Sequence, residues 1–99
     1  MKENDYRQSR LCRLLGNPIA FAIVQALAES KEMSPSEIAK ALRRSVSRVS
    51  HVLSALRLAE VVRYETDGRR ATYRLKHPRE TRQVLGALSE FIASASSSR

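Results

Sequence analysis

Apolar residues recur at helical intervals through most of the chain and switch only once to a shorter, strand-like spacing. Tyr6, Leu11, Leu14 and Leu15 form a rough stripe that predicts a first helix over residues 5–15, with Gly16 as a stop. Asn17 and Pro18 open a second helix, Asn as the cap and Pro in the first turn, where its missing N–H has no helical partner to lose. Ile19, Ala20, Ile23, Val24, Leu27 and Ala28 give that helix one apolar face until about Ser30. Residues 31–33 read as a short connector. Ser34-Pro35-Ser36-Glu37 is then a capping box with Pro at the first helical position. The helix it starts, residues 35–42, turns Ile38, Ala39 and Leu42 inward. Ser45 can cap a fourth helix, whose Val46, Val49, Leu53 and Leu56 form a stripe at i, i+3, i+7 and i+10, widened by Val52.

Beyond Ala59 the period shortens. Val61, Val62 and Tyr64 on one side of Asp67-Gly68, with Ala71, Tyr73 and Leu75 on the other, predict two strands joined in a hairpin. His77-Pro78 begins a last helix with Val84, Leu85, Leu88, Phe91 and Ile92 on one face, and the tail, residues 94–99, is expected to fray. The expected fold is mainly α with a β-hairpin, in the order α-α-α-α-β-β-α. Its 99 residues leave room for one modest core and no second domain, so residues 1–99 are read as a single unit.

Two short helices joined by Arg43-Arg44 match a helix-turn-helix, whose second helix enters a DNA major groove. Val49, Leu53 and Leu56 can anchor that second helix in the core. Its early and outward positions, Ser45, Val46, Ser47, Arg48, Ser50, His51 and Ser54, are small donors, one cation and one imidazole. Serine hydroxyls can donate to phosphates or base edges, Arg48 can fork onto guanine, and Val46 can touch a thymine methyl. The formal charge of +8 favours a polyanionic partner. Arg63, Arg69, Arg70 and Arg74 are concentrated in the hairpin, and Arg69-Arg70 follow its turn directly, which suits salt-sensitive contacts to a neighbouring backbone. Double-stranded DNA is the expected partner.

Other classes fit less well. With 42% hydrophobic and 28% charged residues, the chain is globular in composition. It holds no Gly-rich phosphate loop and no spacing that would assemble a catalytic set, so neither an enzyme nor a bound cofactor is expected. A peripheral membrane helix would pair Lys and Arg with Trp or Phe, and the chain has no Trp. The polar start lacks the apolar centre of a signal peptide. The longest uncharged run, residues 14–28, is too short to span a bilayer. Cys12, the single cysteine, excludes an intramolecular disulfide and suits a reducing cytoplasm. A module binding protein or RNA remains an alternative, although its outer helix face would carry apolar anchors instead of serine, arginine and histidine.

Four stretches carry a resemblance to a known family: LLGNPIAFAIVQALAE, SEIAKAL, SVSRVSHVLSALRLAEVV and DGRRATYRL. From residue 14 to residue 75 the chain resembles the ArsR/SmtB-type winged-helix repressors. Their recognition helix follows a pattern met here by Ser45, Ser47, Val49, Ser50, Leu53 and Leu56, and the hairpin would be the wing. The sequence departs from the family pattern at Arg44, where an apolar turn residue is common, at Glu60, where Gly is common, and at Ile19-Ala20-Phe21, in place of Thr-Arg-Leu. If Glu60 takes the left-handed conformation that Gly supplies, it does so at a cost.

The resemblance implies a homodimer on a partly palindromic operator, held by first and last helices. Leu11, Leu14, Val84, Leu88, Phe91 and Ile92 are the expected interface residues. Many relatives sense metals through cysteines near the third helix, but residues 32–37 contain none, and the last helix lacks a His spacing for zinc, so no metal site is expected. Cys12 reads first as a small buried packing residue, with a thiol switch between two first helices as the alternative. The inducer is not legible.

Overall fold

The computed structural model describes residues 2–97. Its elements are α1 (Glu3–Leu15), α2 (Pro18–Glu29), α3 (Pro35–Leu42), α4 (Val46–Leu58), β1 (Val62–Asp67), β2 (Arg70–Leu75) and α5 (Pro78–Ser97). Five helices and a two-stranded antiparallel hairpin make the winged helix-turn-helix order expected from the sequence.

Local chemistry explains most boundaries. The Asn17 side chain accepts hydrogen bonds from the Ile19 and Ala20 N–H groups at 2.9 and 3.1 Å, starting α2. Gly16 stays right-handed at φ −73°, so the stop of α1 is not a left-handed glycine cap. Asn17 instead takes an extended backbone before Pro18, as the proline ring demands, and α1 and α2 meet at 91°. The capping box is complete: Ser34 Oγ accepts from the Glu37 N–H at 3.1 Å, and Glu37 Oε1 accepts from the Ser34 N–H at 2.8 Å. Gly68 and Arg69 form the two-residue hairpin loop between the paired Asp67 and Arg70, and Gly68 takes φ +61°. Positive φ at the first loop residue alone is the demand of a type II′ turn, which Gly meets without strain.

The core is a single cluster. Ile19, Ala20, Ile23, Val24 and Leu27 of α2 pack with Ile38 and Ala39 of α3, with the buried row of α4, and with Val61, Val62 and Leu75 at the base of the hairpin. Burying each large aliphatic side chain is worth about 1.5–3 kcal/mol. α2 is therefore the central support on which the helix-turn-helix and hairpin are mounted.

Val46, the first residue of α4, is 47% exposed. Two expectations need correction. Cys12 is exposed, because α1 lies over the core through Leu14 and Leu15 only and buries no residue fully. Residues 94–97, expected to fray, continue α5, and residues 98–99 of that tail lie outside the described residues. Residues 31–33 also do more than connect: Met33 and Tyr73 exchange two backbone hydrogen bonds, of 3.1 and 2.8 Å, adding a one-residue bridge to β2.

Candidate nucleic-acid interface

α4 has two faces. Val49, Val52, Leu53 and Leu56 are buried, while Val46, Ser47, Arg48, His51 and Ser54 are exposed and Ser50 is half-buried. Ser45 Oγ accepts from the Arg48 N–H at 3.1 Å, so this hydroxyl serves as the helix cap. The Ser54 hydroxyl donates to the Ser50 carbonyl at 3.1 Å, an i−4 bond along the exposed face. The first turn of α4 contains no acidic residue, which leaves the positive end of its dipole open to an anion.

Both of the helix-turn-helix helices end in left-handed residues that are not glycine. Arg43 has φ 56°, with its N–H donating to the Lys40 carbonyl at 3.3 Å and the Arg44 N–H to the Ala39 carbonyl at 3.0 Å. Glu60 has φ 62°, with its N–H donating to the Arg57 carbonyl at 3.0 Å and the Val61 N–H to the Leu56 carbonyl at 2.9 Å. Both are Schellman closures, which satisfy carbonyls left open at a helix end. The first sets the turn into α4; the second aims the chain into β1. Lys76 Nζ lies 2.5 Å from Glu60 Oε1, and hydrogen bonding by Lys76, with its charge next in weight, lowers the Glu60 carboxyl from its ordinary 4.5.

The wing is less cationic than its sequence suggests. Arg70 Nη2 donates to Glu37 Oε1 at 2.7 Å, Arg74 stands 3.4 Å from Glu65 and 3.9 Å from Glu32, and Arg63 stands 3.5 Å from Glu65. Among the described residues, Arg69 at the tip has no such partner. The Glu37 carboxyl is lowered from 4.5, chiefly by the Ser34 backbone N–H, then by the Ser34 side chain, with the Arg70 charge a further cause. Arg57 lies over the Tyr64 ring at 5.0 Å and ties the end of α4 to β1. Of these ties, sequence reasoning found only the capping role of Glu37: its link to Arg70 joins residues 33 positions apart, and no local pattern marks it.

The remaining expected residues divide. Leu11, Val84, Leu88, Phe91 and Ile92 are exposed on α1 and α5, whereas Leu14 is half-buried against the core. Arg82, not singled out by the sequence, donates from Nε and Nη2 to the Ala28 carbonyl at 3.2 and 2.9 Å and docks α5 on the end of α2. Among the described residues, no three His, Cys, Asp or Glu side chains stand together as a metal site. No single helix among them is long and apolar enough to cross a membrane.

The sequence model described as "Bacterial regulatory protein, arsR family" matches residues 17–64, from the cap of α2 into β1. No curated protein matches the sequence significantly. Among solved structures, Rv0081 of Mycobacterium tuberculosis superposes with a TM-score of 0.87 over 100% of this chain and 98% of its own, at 23% identity, a likeness of fold. The cadmium metal-sensor CMTR of M. tuberculosis is 34% identical, with 81% of each chain covered and a TM-score of 0.67. The homodimeric winged helix-turn-helix DNA-binding domain of Mb0332 from Mycobacterium bovis, a possible ArsR-family transcriptional regulator, is 26% identical over 89% of this chain and 79% of its own, with a TM-score of 0.73. With its wing, its two-faced α4 and these matches, the chain belongs to the arsR family of bacterial regulatory proteins and is a DNA-binding winged-helix transcriptional regulator.

Proposed function

We propose that the protein is a cytoplasmic homodimeric repressor that reads a partly palindromic operator and lacks the metal sites of its metal-sensing relatives. The observation that carries this reading is the division of α4: an apolar row seats it in the core, and Ser47, Arg48, Ser50, His51 and Ser54 remain for a major groove. Arg48 forks onto a base edge, the serines and His51 meet bases or phosphates, and Val46 supplies an apolar contact. Ser45 acts through the pose of the helix it caps. Arg69 supplies the wing's phosphate contact.

Dimerisation is supported by the apolar residues left uncovered on α1 and α5. Phe91 and Ile92 are 72% and 64% exposed, and Leu11, Val84 and Leu88 stand on the same two helices. Two-fold pairing through these helices would present two copies of α4 to successive major grooves. Cadmium sensing, the role of CMTR, is not part of this reading, since such a site needs several soft donors and this chain has one cysteine. The exposure of Cys12 favours one second reading, regulation by thiol oxidation across the dimer.

Sedimentation at micromolar concentration is expected to give twice the 11.2 kDa chain mass. Footprinting on host DNA is expected to reveal paired half-sites overlapping promoters. A monomer with intact helicity, or a footprint with a single half-site, would remove the dimeric reading. Diamide that alters DNA affinity in the native chain but not in Cys12→Ser would bring the thiol reading forward.

A further inference from the structure

The ion pairs of the wing are not scattered. Alternate residues of β2 share a face, and on one of them Arg70, Thr72 and Arg74 stand in a row whose central Thr72 is buried. Arg70 meets Glu37 at 2.7 Å, Arg74 reaches Glu32 at 3.9 Å while standing 3.4 Å from Glu65 within the wing, and between them Tyr73 exchanges its two backbone bonds with Met33. Glu32, Met33 and Glu37 all lie in residues 32–37, the segment that leads into α3. We propose that Arg70 and Arg74 are positioning residues that fasten the wing to this segment, leaving Arg69 as the wing's contact to DNA phosphate. The proposal rests on the reading of α4 and the wing as the DNA-binding surface.

The chemistry favours a clasp over a contact at Arg70. The Ser34 N–H already holds Glu37 Oε1 at 2.8 Å, so the carboxylate is immobilised before Arg70 arrives at 2.7 Å, and little further freedom is lost on pairing. An arginine neutralised in this way must abandon its carboxylate before it can meet a phosphate, and it brings the carboxylate's repulsion with it. Arg69, one residue away in the loop, has no carboxylate partner among the described residues and carries no such penalty. Because segment 32–37 runs into α3, and α3 turns through Arg43 into α4, the clasp fixes the wing tip relative to the recognition helix.

Glu37→Gln tests this directly, since glutamine keeps the carbonyl oxygen that completes the capping box and removes the charge that holds Arg70. Operator affinity is measured across a salt series for the native chain, Glu37→Gln, Arg70→Ala, their double variant and Arg69→Ala, with amide exchange at Tyr73 followed in the DNA-free proteins. Glu37→Gln and Arg70→Ala are each expected to weaken binding by about two- to five-fold, the range of an exposed pair, without changing the salt slope. The double variant is expected to bind no worse than either single one, and both single variants to exchange the Tyr73 amide faster. Arg69→Ala is expected to lower the slope by about 0.9, the share of one phosphate. A slope lowered by that amount in Arg70→Ala, tighter binding with a steeper slope in Glu37→Gln, or additive losses would each overturn the clasp. If the native chain bound no duplex while the Tyr73 amide still responded to both variants, the fastening would stand and the DNA-binding surface would be misread.

Discussion

Glu60 offers a clean measure of what the family-like turn after α4 demands of its backbone. It holds φ 62° where Gly is common in the family, and its carboxylate pairs with Lys76. A left-handed backbone costs a residue with a Cβ about 1–2 kcal/mol. Gly escapes that cost but is disfavoured by about 0.5–1 kcal/mol through its greater freedom in the unfolded chain. Glu60→Gly alone would mix these terms with loss of the solvent-exposed Lys76 pair. Glu60→Ala loses the same pair and keeps the strain, so the difference between the two variants isolates the backbone. Glu60→Gly is expected to exceed Glu60→Ala in stability by about 0.5–1 kcal/mol. For a chain of this size that is about 2–8 °C in Tm. Thermal unfolding followed by circular dichroism, at one fixed protein concentration because dimers melt by mass action, makes the comparison. An Ala variant melting at or above the Gly variant would refute the assignment of strain to Glu60.

Three further outcomes are expected. Arg48→Ala should lose about 1–3 kcal/mol on a cognate duplex and much less on a scrambled one, and equal losses would make Arg48 a phosphate contact. Glu37 and Glu60 both titrate below the ordinary 4.5 when folded, so their stabilising contribution is complete above that value and is lost as pH falls through the lower folded values. Acid unfolding curves should therefore be flatter below pH 4.5 in the Glu37→Gln, Glu60→Gln double variant than in the native chain, and identical curves would contradict those shifts. Equimolar zinc or cadmium should leave the protein–DNA complex intact, and release reversed by a chelator would show that donors from two protomers assemble a site after all.

Much of this protein is determined by residues close together in sequence. The Asn17 and Ser45 caps, the Ser34–Glu37 capping box, Pro at the head of α2, α3 and α5, and Gly68 at the hairpin tip act within a few positions, so each element is legible without a partner. The helical period of α2 and α4 likewise names the residues that meet in the core. Which cations stay available is a different matter. Arg69 and Arg70 are chemically identical neighbours, yet the turn leaves one in solvent and delivers the other to a carboxylate 33 residues away. The bridge from Met33 to Tyr73 is equally silent in sequence, because a single paired residue has no alternation to betray it. Burial of α1 follows the same rule: its stripe predicted an apolar face, but the 91° bend onto α2 decided that Leu14 and Leu15 reach the core while Leu11 and Cys12 do not. Local hydrogen bonding and periodicity set the elements; long-range geometry, which carries no period, decided which of their side chains remain free to act.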